Sequence, residues 1–275
     1  MKFNLLILLS ISLLIGSCSS KLQTEKSDSK LSEVGIPTQE HSIQAVLWQQ
    51  RAAEYSALCE QAYNAARYSL DKMLSIEIAN GKPLAIITDL DETVLDNSPF
   101  NAKMIELDEP YKKERWIEWG NEISAEGVPG AVSFFKYASS KGVEVFYLSN
   151  RYPEQLEVTI ENLQNLDLPY VDKVHVLLRG VSSSKKERRK QVEETHKVIM
   201  LLGDNLADFS DLFEYQQSER RHDLVDSLKS DFGTKFIVLP NVMYGDWQTR
   251  GIYEGRYDWS ETQKDSIRHS KLISY

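Results

Sequence analysis

Five short apolar runs recur along the chain with helical segments between them, and this alternation constrains the fold more than any other feature. The runs are LAIIT at 84–88, VEVFYLS at 143–149, VHVLL at 174–178, VIMLLG at 198–203 and FIVLP at 236–240. Each is too short for a helix and lacks polar alternation, the pattern of a strand buried on both faces. The segments near 130–141, 153–166, 185–195 and 217–230 read as helices. Strand alternating with helix requires parallel pairing through right-handed crossovers. The expected fold is therefore α/β, a Rossmann-like three-layer α/β sandwich built on a parallel sheet.

Ligands of an open parallel sheet bind outside the carboxyl ends of its strands, and chemically suggestive side chains gather there. Asp89 and Asp91 follow the first run, and Ser149, Asn150 and Arg151 follow the second. Lys185 and Lys186 open the helix after the third, and Asp204 and Asp208 follow the fourth. Carboxylates this close repel unless a cation neutralises them or some stay protonated. A hard divalent ion with oxygen ligands, Mg²⁺ at one per site, meets the first condition. Taken singly, each residue has a plainer reading. Asp89 and Asp91 suit a strand-end turn, Asp204 and Asp208 suit a helix cap and first-turn acid, and SSSKKERRK suits a solvated helix start. Glu92 reads as capping or solvating the turn, and Asp96 as ordering the loop.

From Thr38 to Asn80 the chain has neither Pro nor Gly. Apolar residues recur at helical spacing (Val46, Leu47, Ala53, Leu58, Ala62, Ala65, Ala66), which predicts one or two helices ended by Asn80-Gly81. Residues 97–130 break the strand–helix rhythm with aromatics and charges and hold no strand-like run. Segments 37–80 and 97–130 thus read as a smaller helical cap, 81–96 and 131–260 as the core, and 261–275 as a C-terminal tail. Trp116, Trp119 and Tyr244 are candidates to stack on a nucleobase or aryl leaving group; ordinary packing is the alternative for each.

The opening MKFNLLILLSISLLIGSCSSK has one early basic residue and an apolar stretch too short to span a membrane, so residues 1–17 read as an export signal. Its Ile15-Gly16-Ser17-Cys18 end resembles the bacterial lipobox, which implies lipid on Cys18 and a membrane anchor. Residues 18–36 are rich in Ser, Lys and Glu, as in a flexible tether. With Cys18 acylated, Cys59 is the remaining cysteine and no intramolecular disulfide can form; its apolar helical setting predicts a buried inert thiol. A formal charge of -9 argues against a nucleic-acid polymer as partner, because polyanion binders need Lys and Arg stripes. Small charged substrates remain compatible, since a local site can invert the overall sign.

DLDET, LSN, a later Lys and GDNLAD resemble the four motifs of the haloacid dehalogenase superfamily in its phosphatase form. More narrowly, DLDETVLDNSPF, VPGAV, FYLSNR, GDNLADF and VLPNVMYGDW resemble the class C acid phosphatases, bacterial lipoproteins that also act as 5′-nucleotidases. The resemblance runs over residues 38–257. It implies a haloacid dehalogenase-like core with a helical cap that hydrolyses phosphomonoesters such as nucleoside 5′-monophosphates and aryl phosphates through an aspartyl-phosphate. Asp89 is then the nucleophile, and Asp91 the general acid and later base. Ser149, Asn150 and Lys185 (rather than Lys186) hold phosphoryl oxygens. Asp89, the Asp91 backbone carbonyl and Asp204 ligate Mg²⁺, with Asp208 and Thr93 supporting that set from behind. Activity is expected to peak on the acidic side of neutrality. The implied location is the bacterial cell envelope, with Ser19 after the lipidated cysteine fitting outer-membrane sorting where the enterobacterial rule holds. A homodimer is left open. The competing readings are a superfamily phosphatase acting on sugar phosphates and a surface ligand-binding lipoprotein.

Overall fold

Successive residues of the first strand bury on opposite sides, and that sets the layering of the molecule. The computed structural model describes residues 37–76 and 81–275; the export signal, Cys18 and the tether lie outside the described residues. The strands are β1 (Leu84–Thr88), β2 (Leu95–Asp96), β3 (Glu126–Gly127), β4 (Glu144–Leu148), β5 (Val176–Leu177), β6 (Lys197–Gly203) and β7 (Phe236–Val238). Five of them form a parallel sheet in the order β5-β4-β1-β6-β7, with β1 central. Ala85 and Ile87 of β1, Phe146 and Leu148 of β4 and Leu201 of β6 enter one apolar cluster. Their neighbours Ile86, Val145, Tyr147, Met200 and Leu202 enter the other. This period-two division is why the runs are apolar but for Thr88, Glu144, Ser149 and His175, as strands covered on both faces require.

The helices are α1 (Ile43–Arg51), α2 (Ala53–Ile76), α3 (Ser98–Leu107), α4 (Lys113–Asn121), α5 (Ala131–Ser140), α6 (Leu156–Asn165), α7 (Lys186–Thr195), α8 (Ser218–Ser227), α9 (Asp246–Thr249) and α10 (Glu261–Ser270). The N-terminal segment divides differently from the cap assignment. An extended Ala52 separates α1 from α2, and α2 packs on the sheet beside α5 through Tyr55, Cys59, Tyr63, Ala66 and Leu70. The stripe that buries therefore runs through two tyrosines and Cys59, while Leu47 and Leu58 stay exposed. Each fully buried side chain of Leu size contributes roughly 1.5–3 kcal/mol. That burial, together with the Tyr63 hydroxyl bonded to the Thr93 carbonyl at 2.6 Å, makes α2 part of the sheet's flank. Among the elements assigned to the cap, α1 does join the insert: its Gln49 donates to Asp96 at 2.7 Å, and Thr38 just before it donates to Asp108 at 2.8 Å.

The insert between residues 97 and 130 holds α3 and α4, joined by Phe100, Met104 and Trp116. It also holds a strand that its composition does not announce: Leu95–Asp96 and Glu126–Gly127 pair antiparallel and pin the insert's two ends together. The expected C-terminal tail is a helix, α10, whose Ser260 accepts from the Gln263 amide at 3.3 Å as an N-cap.

Candidate active site

The turn after β1 is built around a single carbonyl. The amides of Thr93, Val94 and Leu95 converge on the Leu90 oxygen at 3.2, 2.8 and 2.8 Å, and Glu92 takes up left-handed backbone at φ 65°. This tight wrap carries Asp89 and Asp91 past the sheet's carboxyl edge and leaves the Asp91 carbonyl with no hydrogen bond from any described residue. Asp89 stays tied to the sheet by its amide, 2.9 Å from the Leu202 carbonyl.

Around Asp89 gather the side chains from β6 and α7. Lys185 donates to Asp89 Oδ1 and, at 2.7 Å, to Asp208 Oδ1. Carboxylate oxygens of Asp89, Asp204 and Asp208 lie within 4.8 Å of one another. Gly203 makes this possible, since a Cβ there would stand 2.5 Å from the Asp208 side chain. Asp208 also accepts from the Asn205 amide at 3.0 Å, so the cap role and the site role are filled by one carboxylate. Asn241, beyond β7, donates to Asp204 at 2.7 Å.

The charges in this group oppose burial. Burial, with Asp208 and Asp91 adding to it and Lys185 opposing, pushes the Asp89 carboxyl up to about 7. Burial followed by Asp89 and Asp208 raises Asp204 well above the carboxylate range. Burial pulls the Lys185 ammonium down, but Asp208 and Asp89 outweigh it and hold the group above the usual lysine value. Three carboxylates against one ammonium leave an excess of negative charge and free oxygen lone pairs, the donor set that a hard divalent cation prefers. The residues therefore fit such an ion, with the open Asp91 carbonyl as a further oxygen donor.

The Asp91 side chain points away from that cluster. Its Oδ1 receives Arg151 Nε at 2.9 Å and Asn97 Nδ2 at 3.0 Å, and its Oδ2 receives Ser149 Oγ at 3.0 Å. Arg151 is buried and braced further by Asn97 Oδ1 at 3.2 Å. Glu92 lies in a second buried layer: the Asn97 amide donates to it at 2.8 Å, and Tyr244 donates its hydroxyl to the other oxygen. Burial, then Asp91 and Asp204, raises the Glu92 carboxyl well above its ordinary value. Glu92 is thus a buried hub, not a solvated turn residue. Asp96 does order the loop, accepting from Gln49 and from the Ser98 amide at 2.8 Å.

These residues floor a cleft of about 660 Å³ lined by Asp89, Asp91, Asn150, Lys185, Asp204 and Asp208 together with Trp116 and Tyr244. Ser149 sits beneath the floor, its hydroxyl committed to Asp91 and to the Arg151 amide at 3.0 Å. Asn150 is exposed and accepts from Arg188 at 2.7 Å, while the same guanidinium holds the Ser149 carbonyl at 2.6 Å. Thr93 is buried beside the turn. Trp119 stands outside the cleft lining, its indole N–H bonded to Asn97 at 2.8 Å; packing the insert, not facing a ligand, is what its position allows. Lys186 pairs with Asp211 at the surface, 2.7 Å away, which leaves Lys185 as the lysine of the site. Arg151 stands out in the sequence only by its strand-end place, and Asn97, Glu92, Asn241 and Arg188 receive no site role there. The available signal was their presence inside the strand-end motifs, with nothing local to mark them as buried.

Residues 7–247 match the family model of the HAD superfamily, subfamily IIIB (acid phosphatase). The chain belongs to that family. The class C acid phosphatase from Bacillus anthracis superposes with a TM-score of 0.83 at 40% identity, covering 87% of this chain and 100% of that one. A second structure of that protein, with tungstate bound, matches equally well. Vegetative storage protein 2 of Arabidopsis thaliana is 26% identical over 164 residues, and the stem 31 kDa glycoprotein of Glycine max 25% identical over 161. Those alignments take in 55% and 56% of this chain, and the chain spans 57% of the length of each plant relative.

Proposed function

We propose that this chain is a Mg²⁺-dependent acid phosphatase that hydrolyses phosphomonoesters, nucleoside 5′-monophosphates and aryl phosphates among them, through an aspartyl-phosphate. The observation that carries the reading is the contrast of two carboxylates in one turn: Asp89 lies against Lys185, Asp204 and Asp208, while Asp91 is held apart by Arg151, Ser149 and Asn97. Family membership and the tungstate-bound relative support it, tungstate being a tetrahedral oxyanion like phosphate.

Asp89 attacks phosphorus in line; its Oδ–P bond forms as the bond to the leaving oxygen breaks. Asp91 passes its proton to that oxygen, which departs as the alcohol. Asp91 then takes a proton from water as the water attacks phosphorus, and the bond to Asp89 breaks to release inorganic phosphate. Lys185 neutralises charge on the phosphoryl oxygens, and Arg151 and Ser149 keep Asp91 aimed at the leaving group. A divalent ion held by Asp89, Asp204 and the Asp91 carbonyl, with Asp208 adjoining, supplies charge that screens nucleophile and phosphoryl group from each other.

Phosphate release from a panel of nucleoside monophosphates, aryl phosphates and sugar phosphates, with Mg²⁺ and in excess chelator, tests the reading. Turnover on the first two classes that disappears in chelator and returns with Mg²⁺ is the expected result. Full turnover in chelator removes the metal, and preference for sugar phosphates redirects the substrate class. Lipid attachment at Cys18 and residence in the envelope rest on the Ile15-Gly16-Ser17-Cys18 stretch. Loss of acyl mass and of membrane fractionation in Cys18→Ser is their test.

A further inference from the structure

Among the described residues, one cation in the cleft lacks a counter-charge. Of the lysine and arginine side chains lining it, Arg151 faces Asp91, Lys185 faces Asp89 and Asp208, and Lys264 faces Glu261 at 2.8 Å. Arg179 also lines the cleft and is half-buried, yet it pairs with no carboxylate among the described residues. Its guanidinium instead lies 5.1 Å from the ring centre of Tyr152, whose hydroxyl receives that of Tyr111 at 3.3 Å. Holding a partly desolvated charge without a partner carries a cost, and a guanidinium placed over an aromatic ring rather than against a carboxylate leaves its forked donors available to an incoming anion.

The backbone fixes where Arg179 stands relative to the chemistry. Its amide donates to the Arg151 carbonyl at 3.3 Å, and the Arg151 side chain holds Asp91. A proton donor adjoins the leaving oxygen, so the leaving group extends along the wall on the Asp91 side. Arg179 is in that wall.

We infer that Arg179 is a specificity residue that binds a second anionic group on the leaving portion of the substrate, favouring phosphomonoesters that carry another phosphate or carboxylate. The inference rests on the phosphatase reading for its substrate and deepens it. Tyr152 and Tyr111 form the apolar and hydroxyl side of the same subsite, while Lys185, paired with Asp89 and Asp208, serves the transferring phosphoryl group.

The test compares phenyl phosphate with carboxyphenyl phosphate, which share the reacting group and differ by one anion. The ratio of kcat/KM between them is measured in the wild type, in Arg179→Met, which keeps a stem over Tyr152, and in Arg179→Lys, which keeps the charge. Loss of a charge-assisted contact should cut the ratio in Arg179→Met by roughly ten- to a hundredfold, chiefly through KM, with partial recovery in Arg179→Lys. An unchanged ratio in Arg179→Met, or a lysine variant as impaired as the methionine one, overturns the inference. Calorimetric binding of carboxyphenyl phosphate to Asp89→Asn, with and without Arg179→Met, separates the two readings. Binding that depends on Arg179 in a chain whose wild type releases no phosphate overturns the phosphatase and keeps the subsite. Turnover with binding indifferent to Arg179 does the reverse.

Discussion

Asp89 and Asp91 leave the same strand end in the same tight turn, and their surroundings are opposite. Asp89 is packed among like charges; burial, then Asp208 and Asp91, drives its carboxyl up to about 7 against the opposing pull of the Lys185 ammonium. Asp91 faces a guanidinium, a hydroxyl and an amide N–H and no carboxylate within its hydrogen-bonded set. The Asp89 side keeps an excess of negative charge after its one ammonium, whereas on the Asp91 side one guanidinium answers one carboxylate. The difference shows how a single turn can separate the proposed nucleophile from the proposed proton carrier: residues two apart in a strand share a face, so it is the turn beyond β1, with left-handed Glu92, that parts the two side chains, and distant elements then supply each with its own partners.

The largest expected effect comes from breaking the Asp89 side. Asp89→Asn should lower aryl phosphate turnover by roughly 10⁴-fold or more, because an amide is a poor nucleophile, while calorimetry still detects phosphate binding. Residual turnover within tenfold of wild type would remove Asp89 from the nucleophile role. Breaking the other side should cost less and in a substrate-dependent way. Asp91→Asn is expected to lose roughly 10²–10⁴-fold on an alkyl phosphate and distinctly less on an aryl phosphate with a good leaving group. Equal losses on both would show that Asp91 is not the proton donor.

Asn241 sharpens the contrast from outside: its amide nitrogen holds Asp204, while its oxygen accepts from the Met243 and Tyr244 amides. Asn241→Ala should raise the Mg²⁺ concentration for half-maximal activity by roughly ten- to a hundredfold, the usual penalty for losing a group that orients a metal ligand. A Mg²⁺ titration superimposable on wild type would detach Asn241 from the ion. The smallest effect is thermodynamic. Asp89 and Asp204 titrate higher in the folded chain than unfolded, so between about pH 4 and about pH 7 the folded state holds protons that the unfolded state has lost. Stability of the metal-free protein is then present at the acid end and lost as pH rises, and Tm by calorimetry should fall by several degrees across that window. Saturating Mg²⁺ should flatten the fall, and a metal-free Tm that climbs over the same range contradicts the charge excess.

Legibility followed the range of the interactions. The five strands were readable because each records its own burial in its own residues, as with LAIIT and VIMLLG, and the helices near 131, 156, 186 and 218 were readable from periodicity. The segment after Ser260 reads as tail in the sequence yet folds as a helix, and its Ser260–Gln263 capping pair is the local signal for it. The β2–β3 ribbon has two residues per strand and no pattern to find. In the site, Asp89, Asp91, Lys185, Asp204 and Asp208 stood out by motif and strand-end position. Trp116 and Trp119 were indistinguishable by type, and only the path of α4 turned one to the cleft and the other to Asn97.

The sequence by itself determined the layered sheet, the strand ends at which chemistry could collect and the acidic residues that collect there, because period-two burial and turn chemistry are local and written into neighbouring residues. The tertiary structure alone decided which polar groups meet. Arg151 reaching Asp91, Asn241 reaching Asp204, Tyr244 closing on Glu92 and Arg179 left without a carboxylate among the described residues all depend on loops from different strand ends arriving at one edge. Whether a charged side chain is buried, paired or open is a property of that arrival, and no local pattern carries it.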